Sequence, residues 1–222
     1  MHYELVRSKR KTLALSLDRE GRLTVRAPLR LPLGQIDAFV REKWPWVEKT
    51  RSKLSALPPP IPTLTLTDGA TFPYRGQTLM LQLADVKRVT REDQTLLVPR
   101  GSTNLSPVLR WVEGTARAVF AEQVDALAQR LSLRPTTLRL SRAKGRWGSM
   151  SSRGTLSLNL ALILCPPETL TYVIVHELCH IPHPNHSNQF WAAVERCLPD
   201  YRVQRAWLKA HQSLISLLPD QP

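Results

Sequence analysis

Polar and apolar residues alternate with a period of two at the start of the chain, where Leu13, Leu15 and Leu17 are separated by small or polar residues. That period belongs to half-buried strands and predicts strands over 3–7, 12–17 and 23–27. Asp18-Arg19-Glu20-Gly21 reads as a hairpin turn between the last two. From Leu33 to Leu57 the period becomes helical, with Ile36, Phe39, Val40, Val47 and Leu54 on one face. Pro45 predicts a kink or break near Lys43-Trp44, and Trp44 and Trp46 are expected to pack. Leu57-Pro58-Pro59-Pro60-Ile61-Pro62 reads as a semi-rigid, extended linker. Alternation returns over 63–100, best at 78–83 and 95–98, with turns at Asp68-Gly69 and Arg75-Gly76.

Leu109 to Leu131 is one long amphipathic helix by its spacing of Val112, Ala116, Val119, Phe120, Val124 and Leu127, and Arg134-Pro135 ends it. Strands are expected at 137–140 and 155–160, around the loop 143–154. Pro166-Pro167 opens a further helix and Pro182 closes it. Phe190, Trp191, Val194 and Leu198 mark another, which Pro199-Asp200 breaks before a last helix from about Tyr201 to Leu217. The pattern predicts an α+β chain: a β-rich region at 1–100 with one helix and the proline-rich linker, then a second region at 101–222.

Within the helix that Pro166-Pro167 opens, His176, Glu177 and His180 spell H-E-x-x-H. Residues four apart share a helix face, so two imidazoles can grip one metal ion. Glu177 sits where a carboxylate can take a proton from metal-bound water. His186, six residues on, is a candidate third nitrogen ligand. Three protein ligands leave one tetrahedral position open, the mark of a catalytic zinc, one per chain. The motif lies in an apolar run, and polar groups on a mostly buried helix need a reason to be there.

Charge adds a second element. The formal net charge is +13. Between Ala126 and Pro167 there is no acidic residue, against Arg130, Arg134, Arg139, Arg142, Lys144, Arg146 and Arg153. The stretch 130–153 is therefore a candidate polyanion or nucleic-acid surface, with solubility as the plainer reading. Cys165, Cys179 and Cys197 form an odd set without a C-x-x-C pair, which suits a reducing compartment. The first residues lack the apolar core of a signal peptide, and no apolar run approaches membrane-spanning length. A soluble cytoplasmic protein without a membrane partner is the expectation.

His-Glu-Leu-Cys-His, with Asn185-His186-Ser187 and Phe190-Trp191 behind it, resembles the YgjP-like metallopeptidase family. The likeness extends to Arg146-Trp147-Gly148-Ser149, Ser157-Leu158-Asn159, Leu198-Pro199-Asp200-Tyr201 and Arg7-Ser8-Lys9-Arg10-Lys11-Thr12. It implies a zincin-like unit, a small twisted sheet against the motif helix, preceded by a β-rich region. It also implies that His176, His180 and His186 are zinc ligands and Glu177 the general base. Members usually carry Cys where this chain has Met150, which removes that position as a required ligand. The wider group includes WLM and SprT-type metalloproteases, some linked to repair of DNA–protein crosslinks. Relatives are also described as UTP pyrophosphatases. The chain departs from the metzincin pattern, with His183 at the turn glycine and no methionine after the motif.

Arg146, Trp147, Gly148 and Tyr201 are further candidates for the substrate or oxyanion. The two glycines around Trp147 permit close backbone approach to an extended peptide. Tyr201 becomes an oxyanion donor if its helix folds over the metal, and a core tyrosine otherwise. His183 is expected to be a turn histidine and Cys179 a buried inert thiol. The expected function is a zinc metallopeptidase acting on protein or peptide. A nucleotide pyrophosphatase and a nucleic-acid-associated module with a vestigial metal site compete with it.

Overall fold

The computed structural model describes residues 2–18, 20–56 and 64–218, so the expected linker over 57–62 lies outside the described residues. The chain divides into two compact units, Met1–Pro59 and Pro60–Pro222.

In the first unit, β1 (Glu4–Ser8), β2 (Ala14–Leu17) and β3 (Leu23–Pro28) form a sheet of order β1-β3-β2. β3 is central, parallel to β1 and antiparallel to β2. Its alternate residues Leu23, Val25 and Ala27 are buried together with Ile36, Val40 and Val47 of helix α1 (Leu33–Ser55). Of the kink or break expected near Lys43-Trp44, the break does not occur: α1 continues through Pro45. Pro45 itself is exposed, while Val40 and Val47 bury the turns on either side of it. Those anchors offset the hydrogen bond that a mid-helix proline forfeits. Trp44 packs on this core as expected, but Trp46 is 46% exposed and does not.

The second unit opens with β4 (Thr71–Tyr74), β5 (Gln77–Ala84), β6 (Thr90–Glu92) and β7 (Thr95–Pro99), in the order β4-β5-β7-β6. Helix α2 (Ser106–Leu131) follows and ends at Ser132 in the left-handed conformation. Next come β8 (Thr137–Ser141), β9 (Gly148–Met150) and β10 (Thr155–Asn159), in the order β8-β10-β9. β10 pairs in parallel with β8 and antiparallel with β9, leaving β9 at the edge. A short 3-10 helix (Leu160–Leu164) leads to α3 (Pro167–Cys179), α4 (Asn188–Cys197) and α5 (Tyr201–Ala210). The last expected helix is shorter than its periodicity suggested, ending at Ala210 before a 3-10 turn over Gln212–Ser216.

The sequence placed the regional boundary at 100/101; the compact units instead divide at 59/60. Side-chain burial gives the reason. Phe72, Leu79, Leu81, Leu96 and Val98 of the four-stranded sheet share one core with Phe120, Leu156 and Ile174. Backbone contact ties that sheet to the 3-10 helix that leads to α3: Arg75 N–H donates to the Ile163 carbonyl (2.9 Å). A Cβ on Gly76 would stand 3.1 Å from the Pro166 Cα, at a φ of +76°. The α+β class and the small sheet packed on the motif helix are as expected. Among the described residues no helix is long and apolar enough to cross a membrane.

Candidate metal centre

Helix α3 is buried almost all round: Leu170, Val173, Ile174, Val175 and Leu178 fix its position in the core. That leaves His176 and His180, one turn apart, facing the same opening, with ring centroids 5.0 Å apart. The chain turns after His180 and re-enters a helix at Ser187, whose hydroxyl caps α4 by accepting from the Phe190 N–H. His186, just before that cap, returns to the opening. Its Nε2 lies 3.1 Å from the His176 Nε2. One ring nitrogen from each of the three histidines lies within 4.8 Å of the others.

Phe190 is the floor beneath them. It is fully buried, its ring stacks on His180 (4.4 Å), and it meets His176 and His186 edge-on (both 4.9 Å). The sequence offered Phe190 as part of a motif without disclosing this role. Trp191 stacks on His186 (5.5 Å), so consecutive residues of α4 stack on different rings.

The donor chemistry fits a transition-metal ion. The His180 Nδ1 lies 3.0 Å from the His183 carbonyl, which can only accept, so that nitrogen carries the proton and Nε2 is free to bind. Burial, then the neighbouring imidazoles and the Arg205 charge, push His176 down to about 3; burial also lowers His186. Two neutral imidazole nitrogens 3.1 Å apart repel through their lone pairs unless a proton or a cation lies between them. Three imidazoles at this spacing are a donor set for zinc or a neighbouring first-row metal. His183 is outside the cluster; its contribution is the carbonyl that orients His180.

Glu177 is 6% exposed and beside the cluster rather than in it. Burial raises its carboxyl to about 7, against the pull of the Met150 N–H and the Arg146 charge. Strand β9 lies directly on it. A Cβ on Gly148 would stand 2.8 Å from both Glu177 Oε1 and Val173 Cγ1, so only glycine allows this approach. The loop before β9 is tied down by Asn159, which is 2% exposed. Its amide donates to the Ala143 and Arg146 carbonyls (2.8 and 2.9 Å), and its N–H to the Trp147 carbonyl (2.7 Å). The Ser157-Leu158-Asn159 stretch thus positions the Arg146-Trp147-Gly148 stretch.

Two openings meet at His176 and Glu177. One, of about 510 Å³, runs along β9 past Arg146, Ser149, Ser151, His180 and His186. The other, of about 270 Å³, lies between α3 and α5 and includes Trp147, Tyr172, Val173, Arg205, Leu208 and Lys209. A larger cavity than either, about 740 Å³, is elsewhere, beside Lys87, Arg88, Arg110 and Trp111, and among the described residues no acidic, histidine or cysteine side chain lines it.

A family model described as "YgjP-like, metallopeptidase domain" matches residues 11–211. The chain belongs to the YgjP-like family. It is also similar, over 41% of its length, to the crystal structure of the metallopeptidase zymogen of Pyrococcus abyssi abylysin. There the identity is 21%, the TM-score 0.39 and the coverage of that chain 93%. No curated protein matches the chain.

Among the remaining candidates of the YgjP-like chain, Arg146 lines the larger opening and Trp147 the smaller, while Gly148 lines both. Tyr201 is 4% exposed, stacked between Trp191 (5.5 Å) and Tyr172 (6.3 Å), and lines neither opening. The basic stretch is not uniformly available, since Arg142 pairs with Glu113 at 3.5 Å. Tyr172, Arg205 and Gln212 line the site without having been singled out. Only the packing of α5 and the 3-10 turn after it brings the last two there, and no local pattern carries that information.

Proposed function

We propose that this YgjP-like chain is a zinc-dependent peptidase, in which His176, His180 and His186 hold one zinc ion and Glu177 is the general base. The observation that carries the reading is the three-imidazole cluster next to a buried carboxylate that is not itself a member of the cluster. Bound there, zinc supplies a Lewis acid that polarises the scissile carbonyl and makes water more acidic.

Glu177, held near pKa 7 by burial, is matched to taking a proton from the attacking water at neutral pH. The same carboxyl then gives that proton to the leaving amine. Edge strand β9 suits an extended substrate, because its free side has backbone groups to pair with a peptide laid along the larger opening. Phe190 and Trp191 hold the imidazoles in place and keep water from their inner faces. Magnesium-dependent pyrophosphate hydrolysis would ask for a carboxylate-rich site. Among the described residues, the group spaced to hold a metal is the three histidines.

Zinc-loaded protein and its Glu177→Gln variant, assayed in parallel on unfolded protein and on nucleoside triphosphates, test the reading. Peptide hydrolysis that disappears in the variant is expected. Hydrolysis of triphosphates alone would overturn it.

A further inference from the structure

The smaller opening has a chemical character of its own. Its inner wall is apolar: Tyr172, Val173 and Leu208 are all buried. Its outer wall is α5, from which Arg205 and Lys209 both contribute. They are four residues apart and so share one face of the helix, where like charges disfavour each other. Among the described residues neither is ion-paired, although Arg202 on the same helix pairs with Glu195. Arg205 is held over the Trp191 ring, 4.6 Å from its centroid, which restrains the guanidinium without neutralising it. Glu177 does not act as their partner, because its Oε1 lies against Gly148 and its carboxyl is drawn to the Met150 N–H on the β9 side.

We propose that this opening is a specificity pocket for a carboxylate on the substrate residue next to the scissile bond, held by Arg205 and Lys209 over an apolar floor. The inference rests on the peptidase reading and names the substrate class within it. His176 and Glu177 line both openings, so a peptide bond presented to Glu177 along β9 directs the adjoining residue into the smaller one. The apolar floor suits an aliphatic stem, and the paired cations suit what terminates it. Glutamate has both features. A free C-terminal carboxylate on a short residue supplies the same charge, and would make the enzyme one that trims chain ends.

Binding to metal-stripped protein separates the pocket from catalysis. Three acetylated hexapeptides serve as probes: one with an internal glutamate and amidated end, its glutamine counterpart, and a neutral sequence with a free C-terminal carboxylate. Trp147 in the pocket and Trp191 under Arg205 provide a fluorescence signal, and calorimetry checks it. A carboxylate probe should bind about tenfold tighter than the glutamine peptide, the scale of one charge-assisted hydrogen bond. Which carboxylate probe gains identifies the source. The preference should shrink with salt, because both cations are exposed. It should reverse in Lys209→Glu and be lost in Arg205→Gln, with recovery in Arg205→Lys. Equal binding of all three probes to the unaltered protein would overturn the proposal. A preserved preference in protein whose zinc-loaded form cleaves no peptide would sustain the pocket and remove the peptidase reading.

Discussion

Gly148 and Glu177 are in such close contact that a single added carbon on the strand would stand 2.8 Å from the carboxylate oxygen. The edge strand and the acidic residue of the motif are therefore one assembly. The glycine is required by the neighbour it approaches, since its φ is not among the positive ones. Nothing in the local sequence shows this, because the neighbour lies 29 positions on.

Gly148→Ala is expected to push β9 and Glu177 apart. Misplacing a catalytic group by about 1 Å costs on the order of 10²-fold in rate. Overpacking in a core costs roughly 1–3 kcal/mol. Zinc content should stay at one per chain, since no histidine is moved. Unchanged kcat/KM with an unchanged melting temperature would show that the strand yields freely.

Glu177→Gln keeps the shape of the side chain and removes its basicity. Hydrolysis should fall ~10²–10⁴-fold with the metal retained. Metal analysis alongside single-turnover kinetics checks both halves. Loss of metal in this variant would mean that Glu177 is a ligand.

Much of this site was legible in the sequence, and the reasons are local. The helical period fixes His176 and His180 on one face. Pro182 and the Ser187 cap are short-range signals that define the turn returning His186. The α+β alternation was legible too, since a period of two and a period of 3.6 are easily told apart. What the local pattern does not carry depends on distant partners. The division at 59/60 follows from Phe72 and Leu96 sharing a core with Phe120, a contact across the chain. Pro45 was read as a kink or a break because its cost is local, whereas Val40 and Val47, which offset it, act through β3. The stacking of Tyr201 on Tyr172 likewise joins residues 29 positions apart.

His186 and His183 make a sharp pair for mutation. His186→Ala removes one of three donors and should greatly weaken zinc binding, read by competition with a chelating dye. His183→Ala should leave zinc content intact, since His183 orients His180 through a backbone carbonyl that alanine also has. Equal loss in both variants would require the His183 ring to take part in binding.

Cys165 gives a pH signature unrelated to catalysis. It is 1% exposed, and its thiol donates to the Ala161 carbonyl at 3.4 Å. Burial raises its pKa well above the ordinary thiol range, outweighing the opposing pull of Thr169. In the folded chain the group stays protonated in alkali, while in the unfolded chain it ionises near pH 8.5. A raised folded pKa means that this contribution to stability is intact below that value. It declines as pH rises from there towards the folded pKa. Denaturant midpoints should therefore fall between about pH 8 and pH 10, and fall less steeply in Cys165→Ala. Iodoacetamide at pH 8.5 should leave Cys165 unmodified in native protein and label it once denaturant is added, as mass spectrometry of the digest would read. Rapid labelling of Cys165 in the native state would show that the start of α3 opens far more readily than its packing implies.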